Sequence, residues 1–328
     1  MTLLLLLGGV MLLGVLAYDV ISTTLSVGTG GGPLTSRLGA GWWQLARRLG
    51  RRPDTPIVVS IGPVMILLTI GLWLGLLWAG WTLVFAAGPD AVISGTTREP
   101  ASGWSRVYFA GLTVFTLGMG DYVPNGQPWE VLTAVAASSG LGLTTLAITY
   151  LVPVVGAVTT GRVQASTIAG MGATPQAIVI SALHDRDLGY LERRLQALSD
   201  DLLRTAERHL SYPVLHYFHG GERHVDLRTQ AQRLDEAVTL LRYGVTEDVR
   251  PHPAILEGVR YAIGQLAVRA PGEQTQGVTP APPDLGPLRR AGIAVVDDET
   301  FARSVADLAP HRQRVQRFAG ESLWSSEP

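Results

Sequence analysis

Three apolar stretches leave this chain few ways to fold: Leu3–Leu25, Ile57–Ala87 and Trp129–Val158. Crossing a hydrocarbon layer of about 30 Å takes roughly 20 apolar residues as a helix, and each stretch is long enough. Inside a bilayer an open backbone cannot borrow hydrogen bonds from water, so the natural reading of each stretch is a helix. The first lacks the basic start of a signal peptide, and Tyr18-Asp19 stands where a small-residue cleavage site would lie. It is therefore expected to remain as a helix. Beyond about Thr160 the composition changes, with Arg, Asp, Glu and Gln recurring at soluble-protein density. The expectation is an all-α membrane protein in three parts: 1–56, a transmembrane helix and an arginine-rich loop; 57–160, two further spans and the segment they enclose; 161–328, a helical water-soluble domain.

The chain has no cysteine, which excludes disulfides and thiolate metal sites. All its positive charge is arginine, and a net charge of −1 argues against a nucleic-acid partner. Arginine placement sets the orientation, because short loops rich in positive charge stay cytoplasmic. Arg37, Arg47, Arg48, Arg51 and Arg52 fill the loop between the first two spans. The next connection carries only Arg98 and Arg106, against Asp90 and Glu99. The N-terminus and that second connection are expected outside, and the C-terminal domain inside. Leu34, Leu38, Trp42, Leu45 and Leu49 share one helical face in the first loop. They read either as an amphipathic helix on the inner leaflet or as a packed coupling loop.

The second connection holds the chemistry. Pro89–Gly103 is rich in Gly, Pro, Ser and Thr and reads as an exposed turret. Trp104–Phe115 follows, apolar and about three turns long, with Ser102 or Ser105 as its cap. It is too short to span and suits a re-entrant helix whose negative end stabilises a cation. Thr113-x-x-Thr116-x-Gly118-x-Gly120-Asp121 comes next, with no spacer. Alternating glycines admit φ > 0, so successive carbonyls can point the same way. Four such stretches around an axis make rings of oxygens that replace the water shell of a monovalent cation, and a potassium filter is built this way. Asp121 then sits at the outer mouth, as a local cation attractor or as a solvated turn residue.

With these residues the chain resembles the bacterial pore-domain potassium channel family, whose filter reads Thr-x-x-Thr-x-Gly-Tyr-Gly-Asp. The resemblance runs over about Ile57–Val158. It implies that the second span is an outer helix, that the third is a pore-lining inner helix, and that a homotetramer in the bacterial inner membrane surrounds one pore. Thr116, Leu117, Gly118, Met119 and Gly120 would then coordinate K⁺, the permeant ion, with no other cofactor. Met119 departs from the family's tyrosine or phenylalanine. A thioether is flexible and a weak acceptor, so a weakly selective monovalent cation channel is the alternative, with Tyr108 and Phe109 as packing partners for Met119. Leu112 stands where some relatives carry an acid paired to the mouth aspartate, so Asp121 needs another partner. A membrane sensor or scaffold with a vestigial pore is the rival from another class. A transporter subunit fits less well, since such subunits carry several pore loops in one chain.

Gly140 and Gly142 in the third span are hinge candidates, or glycines that let helices pack closely. Pro153 is expected to kink the same helix, and Val152, Val155 and Val158 to form an apolar constriction that gates by dewetting. Asp19, an intramembrane carboxylate, is either functional or satisfied structurally by Tyr18, Thr23 or Thr24.

In the last part Thr174-Pro175 marks a helix start. Helical patterns cover Asp187–Leu210, Leu227–Tyr243, Pro253–Val268 and Glu299–Phe318, with Pro271–Gly286 a loop and Ile293–Val296 a short strand. No dinucleotide-binding glycine motif follows a strand, and no nucleophile–base constellation points to an enzyme. His209, His216, His219 and His224 read as packing residues, a proton sensor or, less readily, a metal site.

Overall fold

A computed structural model of the chain describes residues 2–25, 31–49, 60–184, 188–218, 223–268 and 279–320. Arg51, Arg52, Asp187, His219 and residues 271–278 of the expected loop lie outside them. The chain divides into two compact units, 1–42 with 63–154 and 43–62 with 155–328.

Among the described residues, three helices are long and apolar enough to cross a membrane: α1 (Thr2–Thr24), α3 (Ile61–Ala87) and α5 (Gln127–Ala169). Between the first two lies α2 (Pro33–Leu49), the amphipathic stretch. Between the last two lies α4 (Gly103–Val114), the short apolar helix. The third span was expected to end near Val158, but α5 runs on without a break through Gly161 and Arg162. Hydropathy marks where lipid-compatible residues stop. It does not mark where i→i−4 hydrogen bonding stops, and Ala165 and Ile168 bury a continuing helix face.

The turret was expected to be exposed, and part of it is not. Ala91 and Val92 are fully buried, and β1 (Val92–Ser94) pairs antiparallel with β2 (Tyr122–Pro124). Three residues are too few for periodicity to betray a strand. The core of this unit joins Leu16 and Val20 of α1, Trp73, Trp81 and Phe85 of α3, Phe109 and Val114 of α4, and Ala136 and Leu143 of α5.

The second unit is helical. It contains α6 (Pro175–His184), α7 (Leu188–Ser211), α8 (Leu227–Thr239), α9 (Pro253–Val268), α10 (Gly286–Arg290), α11 (Asp298–Ala306) and α12 (Ala309–Gly320). Thr174 caps α6 by accepting from the Ala177 amide at 3.1 Å. Leu191, Leu195, Leu198 and Leu202 bury one stripe of α7. Glu299–Phe318 is two helices rather than one, broken at Asp307-Leu308. Pro310 explains the break, because proline is tolerated in a first turn but removes an amide and clashes inside a helix. Ile293–Val296 makes only an isolated bridge, Val295 to Val245. Buried pairs tie α12 to α8: His311 to Asp235 at 2.8 Å and Arg312 to Glu236 at 2.8 Å.

The start of this unit is stitched together by polar side chains. Gln164 on α5 bonds the Thr205 hydroxyl and the Asp201 carbonyl of α7, both at 2.8 Å, and Arg208 donates to Thr160 at 2.9 Å. A 3-10 turn, Pro213–Tyr217, brings Tyr217 edge-on to Trp43 of α2. Phe218 lies so close to Gly62 that a Cβ there would meet its ring at 2.6 Å.

His209 packs behind this turn, 5.5 Å from the His216 ring, with Nδ1 2.9 Å from the Thr205 carbonyl. Its pKa is lowered to about 4, chiefly by burial; the Thr205 carbonyl opposes this and Arg228 adds to it. An unfolded imidazole titrates near 6.5, so between about 6.5 and 4 the unfolded chain binds a proton that the folded one refuses. Stability is thus expected to fall on acidification through that window, by at most about 1.4 kcal/mol per pH unit from this group. Melting followed from pH 7 to 5 checks it: His209→Leu should flatten the dependence, and an unchanged slope would refute the assignment. His224 is exposed, and among the described residues no three His, Asp or Glu side chains are grouped to hold a metal ion.

Candidate functional site

The site begins at the end of α4. Ser102 is the N-cap, its hydroxyl accepting from the Ser105 amide at 3.2 Å. At the other end the chain curls tightly. The amides of Phe115, Thr116 and Leu117 donate to the carbonyls of Gly111, Thr113 and Leu112 at 2.9, 3.0 and 2.8 Å. On its outer flank α4 is held by Trp78 of α3, whose indole donates to the Val107 carbonyl at 2.8 Å, and by Phe109, which meets Phe85 edge-on. Phe109 is therefore packed against α3.

From Thr116 the backbone alternates. Thr116, Gly118 and Gly120 have φ of 57°, 49° and 83°, while Leu117 and Met119 between them stay out of the left-handed region. Two of the three positions are glycine, which adopts such angles freely. Thr116 is β-branched, and holding it there costs about 1–3 kcal/mol that the surrounding structure has to offset. Every second residue being left-handed is the condition under which successive carbonyls turn to one side. Among the described residues, no amide or side chain donates to a carbonyl of Thr116–Gly120. In the single chain Leu117 and Met119 are 64% and 66% exposed.

Asp121 follows, and its partner is a residue that sequence reasoning assigned elsewhere. The Tyr108 hydroxyl donates to Oδ2 of Asp121 at 3.2 Å, and the Tyr108 ring packs edge-on against Tyr122. Ser105 donates to the Tyr122 hydroxyl at 2.9 Å. Tyr108 thus braces Asp121. The Asp121 carbonyl accepts from the Gly95 amide of the turret at 2.8 Å.

Of the hinge candidates, Gly140 stands against backbone: a Cβ there would lie 1.9 Å from the Val114 carbonyl oxygen at the end of α4. Gly142 has nothing within 4 Å. Trp81 of α3 donates to Ser139 beside them at 3.0 Å. Pro153 lies inside α5, where its missing amide leaves the Thr149 carbonyl without a helical donor. Val152 and Val155 are exposed in the single chain, whereas Val154 is buried.

Asp19 is fully buried, and its partners are none of Tyr18, Thr23 or Thr24. Oδ1 accepts from the amides of Leu34 and Thr35 at 2.7 and 3.2 Å. Oδ2 accepts from the Thr35 hydroxyl at 2.6 Å and the Trp73 indole at 2.9 Å. Those two amides belong to the first turn of α2, so α1 supplies the carboxylate that a helix start prefers. The residue ahead of α2, Gly32, has no side chain of its own, and a Cβ there would strike Asp19 at 2.3 Å. Thr23 instead accepts from the Gly32 amide at 2.8 Å. No short-range pattern announces this arrangement; the contacts span 15 to 54 residues.

A family model described as "Ion channel" matches residues 71–156, which covers α4, the alternating segment and most of α3 and α5. The chain is 31% identical over 325 residues to the "Uncharacterized membrane protein YdjJ" of Bacillus subtilis (strain 168), covering 96% of this chain and 94% of that one. No solved structure matches it. The chain belongs to this family of ion-channel membrane proteins, with its two-span, potassium-channel-type domain at residues 71–156 and one further helix ahead of it.

Proposed function

We propose that four copies of this chain surround one pore that conducts K⁺ passively. The carrying observation is the left-handed alternation at Thr116, Gly118 and Gly120 in a segment that stays exposed in the single chain. Irregular backbone at membrane depth is tolerated only where protein buries it or where it lines a wet cavity. Neighbouring copies provide both. The backbone oxygens of Thr116, Leu117, Gly118, Met119 and Gly120 replace the hydration shell of the ion, and Asp121 raises the local cation concentration at the outer mouth. The C-terminal end of α4 adds the negative end of its helix dipole behind them. Gly142 and Pro153 let α5 bend, and the exposed Val152 and Val155 close the inner end by dewetting. The N-terminus lies outside, and residues 161–328 form a cytoplasmic domain that sets the gate.

Purified protein in liposomes loaded with K⁺ tests this. A K⁺-driven flux is expected, and Gly118→Ala or Gly120→Ala should abolish it, since a Cβ at these positive φ angles strains every copy. Equal Na⁺ and K⁺ fluxes would favour the weakly selective reading that Met119 suggests. No flux from an intact oligomer would favour a sensor, and a stable monomer is incompatible with a shared axis.

A further inference from the structure

The turret approaches the alternating segment more closely than a passive loop needs to. Ala91 and Val92 are buried, and the ribbon registers Val92, Ile93 and Ser94 against Pro124, Val123 and Tyr122. Its edge continues past the last pair. The Gly95 amide donates to the Asp121 carbonyl at 2.8 Å, and the Asn125 amide donates to the Ala91 carbonyl at 3.0 Å at the other end. The strand is anchored from behind as well, the Ala101 amide donating to the Val92 carbonyl at 2.9 Å and the Ser94 amide donating to the Glu99 carbonyl at 2.9 Å. The turn after it is locked by the Ser94 hydroxyl, which accepts from the amides of Thr96 and Thr97 at 3.3 and 3.1 Å, and by Arg98 at a φ of 61°.

At the tip of this anchored strand sits Gly95. A Cβ there would lie 2.5 Å from the Gly120 carbonyl oxygen and 3.4 Å from that of Asp121. Real Cβ atoms do not approach so closely, and both parties are backbone, so no side chain can swing aside. Gly95 has an ordinary φ. Its lack of a side chain is therefore explained by this contact and not by its own conformation. Gly120 is the last of the three left-handed positions, and its oxygen belongs to the outermost ring of the proposed filter.

We propose that the turret strand Val92–Gly95 is a positioning element for the outer end of the filter, with Gly95 the residue that sets where the Gly120 carbonyl lies. The proposal rests on the channel reading above and adds a specificity determinant to it. It also accounts for how a filter bearing Met119 in place of an aromatic ring is held: the outer carbonyl is braced from the turret through backbone groups, with no side chain of the filter itself required.

The test uses the full chain in liposomes, with the K⁺ over Na⁺ permeability ratio taken from the reversal potential. Three proteins are compared with the unmodified one: Gly95→Ala, an ester at position 95 made by incorporating glycolic acid, and Gly103→Ala, whose Cβ meets nothing within 4 Å. Gly95→Ala should lower the ratio by about tenfold through displacement of one ring, and the ester, which removes the N–H donor and weakens the Ser94 carbonyl as an acceptor without adding bulk, by about threefold. Gly103→Ala should leave it unchanged. Oligomer size and melting temperature are measured alongside, since a purely structural role would move those and not the ratio. A wild-type protein without K⁺ flux overturns the channel reading itself. A conducting wild type with Gly95→Ala and ester proteins of unaltered ratio overturns this inference alone. Loss of the oligomer in both modified proteins overturns it too, because the strand would then serve assembly and not ion selection.

Discussion

Replacing Gly140 by alanine is expected to destroy conduction by preventing the pore from assembling, while Gly142→Ala leaves assembly intact. The two glycines are separated by one residue on the same helix, yet their surroundings differ completely. An added methyl at 140 falls 1.9 Å from the Val114 oxygen and 2.8 Å from its carbonyl carbon. Two stiff helices meet there backbone to backbone, so relief requires α4 and α5 to move apart. Overpacking of this kind costs about 1–3 kcal/mol in a well-packed core. Here it also displaces Val114, two residues ahead of the strained Thr116, so the damage reaches the alternating segment directly. At 142 the same methyl meets open space. If Gly142 is where α5 bends, alanine there lowers the open fraction of channels that still form. Oligomer size by native mass spectrometry, read beside liposome flux, separates the two. A full-sized, conducting Gly140→Ala protein would show that the close approach is not needed.

The second large effect is expected at Asp19. Truncation to alanine strands four donors at a buried point: two amides of α2, the Thr35 hydroxyl and the Trp73 indole. A buried donor left unpaired costs roughly 1–3 kcal/mol, and with the hydroxyl free to turn elsewhere the total loss is on the order of 3–5 kcal/mol. Asp19→Asn keeps an acceptor for the amides but presents NH₂ where the Trp73 N–H points, so about a third of that loss is expected. Trp73→Phe, which removes the facing donor, should rescue much of the asparagine variant. Melting temperatures in mild detergent should therefore rank wild type, Asn and Ala in that order. Equal values would mean that the buried carboxylate contributes nothing to holding α1, α2 and α3 together.

These two sites mark what was legible in the chain and what was not. Spans and re-entrant helix were readable because a bilayer imposes one requirement, a sustained apolar run, and because Gly118 and Gly120 carry their backbone demand in their identity and spacing, whereas nothing in a β-branched threonine announces the left-handed Thr116. The boundaries of α9 could be read to the residue, since Pro253 opens it. The tasks of Gly140 and Gly142 could not be distinguished, because a glycine next to a carbonyl and a glycine in open space are the same letter. Asp19 was visible as an anomaly, but its partners lie far along the chain. The indoles of Trp73, Trp78 and Trp81 were read only as apolar bulk, although each donates to a different element: Asp19, Val107 and Ser139. The turret strand was missed because three residues, two of them apolar, among turn formers give no period.

A helix start that borrows its carboxylate from an earlier helix also orders biosynthesis. Nascent α2 emerges from the ribosome with Gly32 at its head and nothing of its own to satisfy the first turn. Its partner, Asp19, has already been delivered, since α1 is translated first. Cropping the chain to its conducting core would discard that carboxylate and leave Trp73 of the outer helix facing an empty socket.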